Sequence, residues 1–216
     1  MSEDLAARTA QSDSAAHLLV FARVPALGRV KSRLAAGVGE SAALAVYHEL
    51  LAITNAAVVA AGVPATVWLA DTVGPVPTAA ETREWAALHA QCQPEGDLGA
   101  RMAAAFATAF EAGAGRVAII GTDCPGLRDT HLTQAFALLE TNDLVLGPVT
   151  DGGYYLLGLR QPQPELFRNK TWSTDSVLAD TLADAGRLGL RVAFLPTLRD
   201  VDNADDLAVW RAESIK

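Results

Sequence analysis

Short apolar segments alternate with Ala/Leu-rich segments of helical periodicity along most of the chain, and this alternation limits the possible folds more than any other feature. Seven segments have the length and the β-branched or aromatic content of strands: residues 17–22, 65–69, 89–93, 116–121, 143–149, 154–159 and 191–195. Helices are predicted over residues 40–61, 80–88, 98–112, 129–140, 174–188 and 205–212. This order predicts an α/β protein, a single-domain three-layer α/β/α sandwich around a mostly parallel mixed sheet.

The composition suits one globular domain and argues against several classes of partner. Residues 1–16 are polar or small, so we expect a disordered tail there and one domain over residues 17–216. A net charge of −8 argues against nucleic acid, which requires a broad basic face. The most apolar long stretch is interrupted by Gly62 and Pro64, so no membrane span is predicted. Two cysteines without disulfide or zinc spacing, and a start unlike a secretory signal, favour the cytoplasm.

A basic stretch follows the first predicted strand of this otherwise acidic chain. Pro25 and Gly28 break the strand into a loop that carries four cations, Arg23, Arg29, Lys31 and Arg33. Open α/β sheets bind their ligands at the carboxyl ends of the strands, where this loop is expected to lie. We interpret the loop as a site for a small anion; the alternative is a solvated loop of ordinary charge.

Two aspartates, Asp123 and Asp202, are expected at the same edge of the sheet. Asp123 follows an apolar strand, and Asp202 lies between the last strand and the last helix; either could instead be a turn or capping residue. At about 5 Å and an effective dielectric of about 20, two carboxylates repel each other by roughly 3 kcal/mol. If the fold brings the pair together, a divalent cation is the natural compensation. Oxygen ligands alone select Mg²⁺ or Mn²⁺ over zinc.

The segment Asp151-Gly152-Gly153 leaves two interpretations open. Two consecutive glycines allow the backbone to approach a ligand closely. The same residues between two apolar runs are also typical of a β-hairpin turn.

A divalent metal beside a Lys/Arg loop indicates a nucleoside diphosphate or triphosphate as the ligand. Mg²⁺ is commonly shared between protein carboxylates and substrate phosphates, and cations stabilise charge on a leaving phosphate. The chain has neither the GxxxxGK[ST] phosphate loop nor the GxGxxG dinucleotide motif, so both of those nucleotide-binding classes are excluded.

Several short motifs occur in a characteristic order within residues 17–210. They are Phe21-Ala22-Arg23, Gly28-Arg29-Val30-Lys31-Ser32-Arg33-Leu34, Gly96-Asp97-Leu98-Gly99-Ala100-Arg101-Met102, Gly121-Thr122-Asp123-Cys124-Pro125, Gly147-Pro148, Asp151-Gly152-Gly153-Tyr154, Trp172-Ser173-Thr174 and Asp200-Val201-Asp202. Together they resemble the glycosyltransferase-A superfamily, which includes nucleotide-diphospho-sugar transferases and nucleotidylyltransferases. More narrowly, the chain resembles the bacterial glycosyltransferases associated with radical-SAM/selenodomain proteins. The basic loop is also similar to the phosphate loop of 2-phospho-L-lactate guanylyltransferase.

The resemblance implies a nucleotide over the first half of the sheet and a small-molecule acceptor over the second. The nucleotide and its phosphates would be bound by Arg23, Lys31, Ser32, Arg33, Gly96, Asp97 and Arg101. The acceptor would be bound by Gly152, Gly153, Tyr154 and Trp172. Asp151 would be the catalytic base, Lys31 a second catalytic residue, and Asp123 and Asp202 the ligands of Mg²⁺ or Mn²⁺. Thr122-Asp123-Cys124 stands where many glycosyltransferases have Asp-x-Asp, so a further metal ligand is expected elsewhere.

Three functions are compatible with these features. The first is metal-dependent glycosyl transfer from a nucleotide-diphospho-sugar. The second is nucleotidylyl transfer, in which a nucleoside triphosphate and a phosphorylated acceptor give pyrophosphate. The third is a nucleotide-binding protein without catalytic activity. The nucleobase, the sugar, the acceptor and the oligomeric state are not encoded in any of the motifs.

Overall fold

The computed structural model describes residues 15–213, which form a seven-stranded sheet with helices on both faces. The strands are β1 (Ala16–Arg23), β2 (Ala65–Ala70), β3 (His89–Cys92), β4 (Arg116–Ile120), β5 (Leu144–Pro148), β6 (Tyr154–Leu159) and β7 (Val192–Phe194). Their order in the sheet is β3-β2-β1-β4-β6-β5-β7, and only β6 runs antiparallel to its neighbours. The mostly parallel mixed sheet predicted from the sequence is confirmed.

The central strands are buried on both faces, which explains their continuous apolar sequence. Leu18, Leu19 and Val20 of β1 are each at most 1% exposed. Val20 of β1 lies opposite Ile120, the last residue of β4, and β1 also pairs in parallel with β2. This register brings the segments that follow β1 and β4 together at one edge of the sheet.

Six helices surround the sheet within the described residues. They are α1 (Ser32–Val38), α2 (Glu40–Ala61), α3 (Leu98–Glu111), α4 (Asp129–Leu138), α5 (Val177–Arg187) and α6 (Ala204–Glu213). Helices α2 and α4 pack on one face of the sheet through side chains such as Leu51 and Phe136. Helices α3 and α5 pack on the other face through Phe106 and Ala185. The three-layer α/β/α architecture is therefore confirmed.

Helix α2 is the one helix in the described part of the chain that is long and apolar enough to cross a membrane, judged by length and composition. Tyr47, Leu51 and Val58 on this helix are buried in the core on the α2–α4 side of the sheet. The position of α2 in the sandwich accounts for its apolar sequence.

Helix α1 differs from the sequence prediction, which continued the basic loop through Arg33. The helix begins at Ser32, so Arg33 lies in its first turn. Leu34 of α1 is completely buried in a small cluster with Leu50 and Val201, and this burial fixes the helix against α2. Strand β1 begins at Ala16, so the last residue of the predicted tail is part of the sheet. Of the other residues predicted as tail, all but Ala15 lie outside the described residues.

The helix predicted over residues 80–88 is also wrong, because only a single 3-10 turn, Arg83–Trp85, forms there. The carboxylate of Glu81 accepts hydrogen bonds from the backbone N–H groups of Val73 and Thr78, at 2.8 and 2.7 Å. These bonds hold residues 73–81 in a compact loop and leave no regular helical start.

Candidate functional site

A cavity of about 460 Å³ opens at the edge of the sheet where the parallel strands end. Its charged lining residues are Arg23, Lys31, Arg33, Arg101, Asp123, Asp151, Asp200 and Asp202. Cations from the early part of the chain and acids from its middle and end therefore meet at one place. The volume is in the range of small-molecule sites in other proteins.

Lys31 lies between two of these acids. Its backbone has a left-handed conformation with φ of 51°, immediately before α1 begins. Its Nζ is 2.5 Å from Oδ1 of Asp123 and 3.1 Å from Oδ1 of Asp202. The ammonium also donates a hydrogen bond to the carbonyl of Val201 at 2.8 Å. Because the side chain is only 6% exposed, this cation is fixed in place.

The surroundings of Lys31 keep it charged. Burial by itself would lower the pKa of the Lys31 ammonium, but the charges of Asp123 and Asp202 raise that pKa above its ordinary value. The two aspartates meet, as the sequence predicts, and a protonated lysine lies between them where a divalent cation was expected. Lys31 was predicted to bind phosphate and to take part in catalysis, but its contacts with the two acids were not predicted.

A second group of carboxylates adjoins this bridge. Asp151, Asp200 and Asp202 each offer an oxygen, and these atoms lie within 4.8 Å of one another. Val201 is buried, and its N–H donates a hydrogen bond to the carbonyl of Asp123. Its neighbours in sequence, Asp200 and Asp202, line the cavity. Asp200 was not among the predicted ligands; its only signal was its spacing of two residues from Asp202.

This carboxylate group fits a hard divalent cation. It supplies oxygen ligands alone, the donor set of Mg²⁺ and Mn²⁺ sites. Burial, followed by the charges of Asp151 and Asp202, raises the pKa of Asp200 to about 6. The like charges therefore leave an imbalance that a dication would compensate. Further ligands are expected because Thr122-Asp123-Cys124 replaces the Asp-x-Asp motif of many glycosyltransferases. Asp151 and Asp200 are candidates for these ligands.

Replacing Asp200 with asparagine is expected to stabilise the metal-free protein at pH 7.5 by about 1 to 2 kcal/mol. An acid whose pKa is higher in the folded chain than in the unfolded chain makes stability fall as the pH rises, here between about 4 and 6. In Asp200→Asn, this fall in the free energy of unfolding should be absent. Denaturant unfolding at pH 4 and 7.5 measures it, with the exposed Asp205→Asn as a control that keeps the wild-type profile. Identical profiles for Asp200→Asn and wild type would contradict the expectation.

The predicted nucleotide-binding residues divide into two groups. Arg23, Lys31, Arg33 and Arg101 line the cavity, whereas Ser32, Gly96 and Asp97 are not among the described residues that line it. Arg33 lies 3.5 Å from Oδ2 of Asp202, and its side chain is 68% exposed. Arg23 pairs with Asp71 at 2.7 Å. Arg33 is thus the more available of these two cations for an incoming anion.

The segment around Asp97 organises the start of α3. The Asp97 side chain accepts a hydrogen bond from the N–H of Ala100 at 2.8 Å and so caps the helix. Arg101, one turn into α3, donates from Nε to the carbonyl of Gly96 at 2.7 Å. Its Nη1 lies 3.4 Å from Oε1 of Gln93, a cavity residue that was not predicted from the sequence.

The predicted acceptor side lies around the β5–β6 connection. These strands are antiparallel, so Asp151-Gly152-Gly153 is a hairpin turn, and it also borders the cavity through Asp151 and Gly153. Oδ1 of Asp151 accepts from the N–H of Gly153 at 3.0 Å. Tyr154 and Trp172 line the cavity as well. The hairpin turn is therefore confirmed, and the close approach of a ligand to the glycine backbone stays a prediction.

Gly152 is explained by packing, and it is not among the described residues that line the cavity. Its φ is +93°, and a Cβ there would lie 2.1 Å from the carbonyl oxygen of Asp175. Gly152→Ala is therefore expected to destabilise the protein by about 2 to 4 kcal/mol in denaturant unfolding. Gly189→Ala is a matched control, because Gly189 also has a positive φ, of +66°, but a Cβ there meets nothing within 4 Å. Equal losses in the two variants would show that the contact with Asp175 has no effect.

Solved structures of similar fold include two proteins described as transferases and one solved with manganese. A Desulfovibrio desulfuricans G20 protein proposed to be a nucleotide-diphospho-sugar transferase is 29% identical, with a TM-score of 0.83 over 90% of this chain and 85% of that one. Rv0371C from Mycobacterium tuberculosis H37Rv, in complex with manganese, is 18% identical, with a TM-score of 0.56 over 91% and 97% of the two chains. The inositol-1-phosphate CTP transferase of T. maritima is 12% identical, with a TM-score of 0.57 over 93% and 96%. The last two likenesses concern the fold alone.

A family assignment comes from the sequence as well. No curated protein matches the chain. The model of the family DUF2064, described as an uncharacterized protein conserved in bacteria, matches residues 53–174, which is more than half of the chain. This stretch includes Asp97, Arg101, Asp123 and Asp151. The chain belongs to the bacterial family DUF2064 and has the fold of the nucleotide-diphospho-sugar transferases.

Proposed function

We propose that this protein is a divalent-metal-dependent transferase that uses a nucleotide-activated donor, and that its reaction is glycosyl transfer from a nucleotide-diphospho-sugar. One observation carries the proposal: a single cavity joins fixed and exposed cations, Lys31 and Arg33, to the carboxylate group of Asp151, Asp200 and Asp202. A diphosphate and its metal need both kinds of group within reach of each other. The likeness to the Desulfovibrio protein supports the donor class.

In this reaction the bond between the anomeric carbon and the diphosphate oxygen breaks, and a bond to an acceptor hydroxyl forms. The nucleoside diphosphate leaves with the electron pair of the broken bond. Lys31, held between Asp123 and Asp202, would stabilise the negative charge that grows on the leaving group. Arg33, exposed at the rim, would hold the diphosphate in position. A divalent cation held by Asp200 and Asp202, beside Asp151 as the acceptor base, would add further electrostatic stabilisation of the leaving phosphate.

A ligand screen and a product assay test this proposal together. Unfolding temperatures are measured with UDP-, GDP-, CDP- and ADP-sugars and with the nucleoside triphosphates, each with and without Mn²⁺. A ligand present at a hundredfold over its Kd adds about 2.7 kcal/mol to the free energy of unfolding. Stabilisation by a nucleotide-sugar that depends on Mn²⁺, followed by release of the nucleoside diphosphate with an acceptor, supports the proposal. Stabilisation by no nucleotide at all contradicts it, and tight binding without turnover favours a catalytically inactive nucleotide-binding protein.

Nucleotidylyl transfer is the second candidate, and the buried, charged Lys31 favours it specifically. A pyrophosphate leaving group carries more negative charge than the nucleoside diphosphate released in glycosyl transfer, and a fixed ammonium in the cavity is suited to neutralise it. The likeness in fold to a CTP transferase is compatible with this chemistry. Release of pyrophosphate from a nucleoside triphosphate and a panel of sugar phosphates would select this reaction over glycosyl transfer.

Asp151→Asn separates two roles that the position of Asp151 allows. If Asp151 removes the proton of the acceptor hydroxyl, turnover should fall by about 10² to 10⁴-fold while Mn²⁺ and donor affinities stay unchanged. If it is a metal ligand, the Mn²⁺ affinity should fall together with turnover. We expect the first result, because the exposed Asp151 lies beside the predicted acceptor residues Gly153 and Tyr154. Turnover at the wild-type rate would exclude both roles.

A further inference from the structure

A hydrogen-bond network fixes the guanidinium of Arg101 at the β3 side of the cavity. The side-chain Nε2 of Gln93 donates to the carbonyls of Ala22 and Trp68, at 3.3 and 3.1 Å, and so is anchored on β1 and β2. Its Oε1 then faces Nη1 of Arg101 at 3.4 Å, while Nε of Arg101 is held by the carbonyl of Gly96 at 2.7 Å. The backbone of three segments therefore determines where this guanidinium lies.

Arg101 enters the cavity from the side of β3, whereas the loop that carries Asp123 follows β4. Gln93, its anchor, follows β3, which is the third strand from β4 in the sheet order, and Asp123 follows β4. The Gln93 amide reaches back across β2 to the carbonyl of Ala22 at the end of β1, the neighbour of β4, and it holds Arg101 there. A nucleotide whose phosphates lie at Lys31 and Asp123 would extend its nucleobase toward β3. The cavity lining also includes the apolar side chains Phe21, Leu98 and Met102, and Arg23, which pairs with Asp71 just after β2.

The hydrogen-bonding capacity of Arg101 is only partly used. A guanidinium has five N–H donors in a rigid fork. Within residues 15–213, the Gly96 carbonyl and Gln93 Oε1 accept from Arg101, which leaves donors free to face a ligand. Two parallel N–H groups match two adjacent acceptors, such as O6 and N7 of guanine or O2 and N3 of cytosine. Adenine places an amino donor beside each acceptor on its base-pairing edge, and uracil places an N–H between its two oxygens.

We propose that Arg101 is a specificity-determining residue that selects guanine or cytosine nucleotides over those of adenine and uracil. The inference rests on the proposed function, because it takes the ligand of the cavity to be a nucleotide. A well-aligned bidentate contact discriminates between bases by about 5- to 150-fold. GDP and CDP are therefore the probes expected to bind tightly, with ADP and UDP weaker by that factor.

The test measures the Kd values of GDP, CDP, UDP and ADP by calorimetry in the presence of Mn²⁺. The same titrations are done on Arg101→Ala, on Arg101→Lys, and on Arg83→Ala as a matched control outside the cavity lining. Arg101→Ala should bring all four Kd values within about twofold of one another. Arg101→Lys keeps the charge but loses the fork, so it should not restore the selectivity. Arg83→Ala should behave as wild type.

Several outcomes would overturn the inference. Equal affinities of the four nucleotides for the wild-type protein, or a preference for GDP or CDP that survives in Arg101→Ala, show that another group reads the base. A uniform loss of affinity in Arg101→Ala, fully recovered in Arg101→Lys, shows that Arg101 binds phosphate. Each of these results leaves nucleotide binding, and with it the proposed function, intact. Failure of all four nucleotides to bind the wild-type protein overturns both.

Discussion

Lys31→Met is expected to lower turnover by about 10² to 10³-fold, the usual effect of removing one preorganised electrostatic contact to a developing charge. The same variant should unfold more easily by about 1 to 3 kcal/mol at pH 7.5 without metal, because it leaves Asp123 and Asp202 without their shared counter-charge. Steady-state kinetics with the best donor of the ligand screen and denaturant unfolding measure the two effects.

A second ion pair provides the control for Lys31→Met. Arg191 and Asp143 pair at 3.1 Å at the opposite edge of the sheet, before β7 and β5 begin. Arg191→Met therefore removes a cation from an acid without touching the cavity, and turnover per folded molecule should stay at the wild-type level. If Lys31→Met also turns over at the wild-type rate, Lys31 takes no part in the reaction and its role is structural.

The sheet and most helices were predictable because burial imposes simple patterns. A strand covered on both faces must be apolar throughout, which is why β4 was predicted from its sequence. Helix α2 spans residues 40–61, as predicted, because Gly62 adopts a left-handed conformation, with φ of 65°, that ends the helix. The 3-10 turn at residues 83–85 was not predictable, since it depends on the side chain of Glu81 reaching back to Val73.

The convergence of Lys31, Asp123 and Asp202 was predictable for a topological reason. Parallel strands end at the same edge of a sheet, so segments far apart in sequence meet there. The contacts within the site were not predictable, because they depend on conformation. The left-handed backbone of Lys31 allows its ammonium to lie between the acids, and the pKa of Asp200 depends on neighbours that only the fold supplies.

Asp202 belongs to both charged groups of the cavity, and its replacement tests whether they act as one site. Asp202→Asn keeps the shape of the side chain but removes the charge shared by Lys31 and by Asp151 and Asp200. We expect Mn²⁺ affinity to fall by about 100-fold, because losing even an outer hydrogen-bond partner of a metal ligand costs about 10- to 100-fold, and Asn keeps one oxygen for coordination. At a Mn²⁺ concentration of a hundredfold over the wild-type Kd, the metal adds about 2.7 kcal/mol to wild-type stability and about 0.4 kcal/mol to that of the variant.

Denaturant unfolding with and without Mn²⁺ measures this difference, and the neighbouring Asp205 provides the control. Asp205 is exposed in the first turn of α6 and is not among the described residues that line the cavity, so Asp205→Asn should keep the full wild-type gain. A wild-type gain in Asp202→Asn would mean that Mn²⁺ binds elsewhere. Lys31 would then be the principal cation at Asp123 and Asp202, and any transfer reaction would depend on that lysine rather than on a metal at this edge of the sheet.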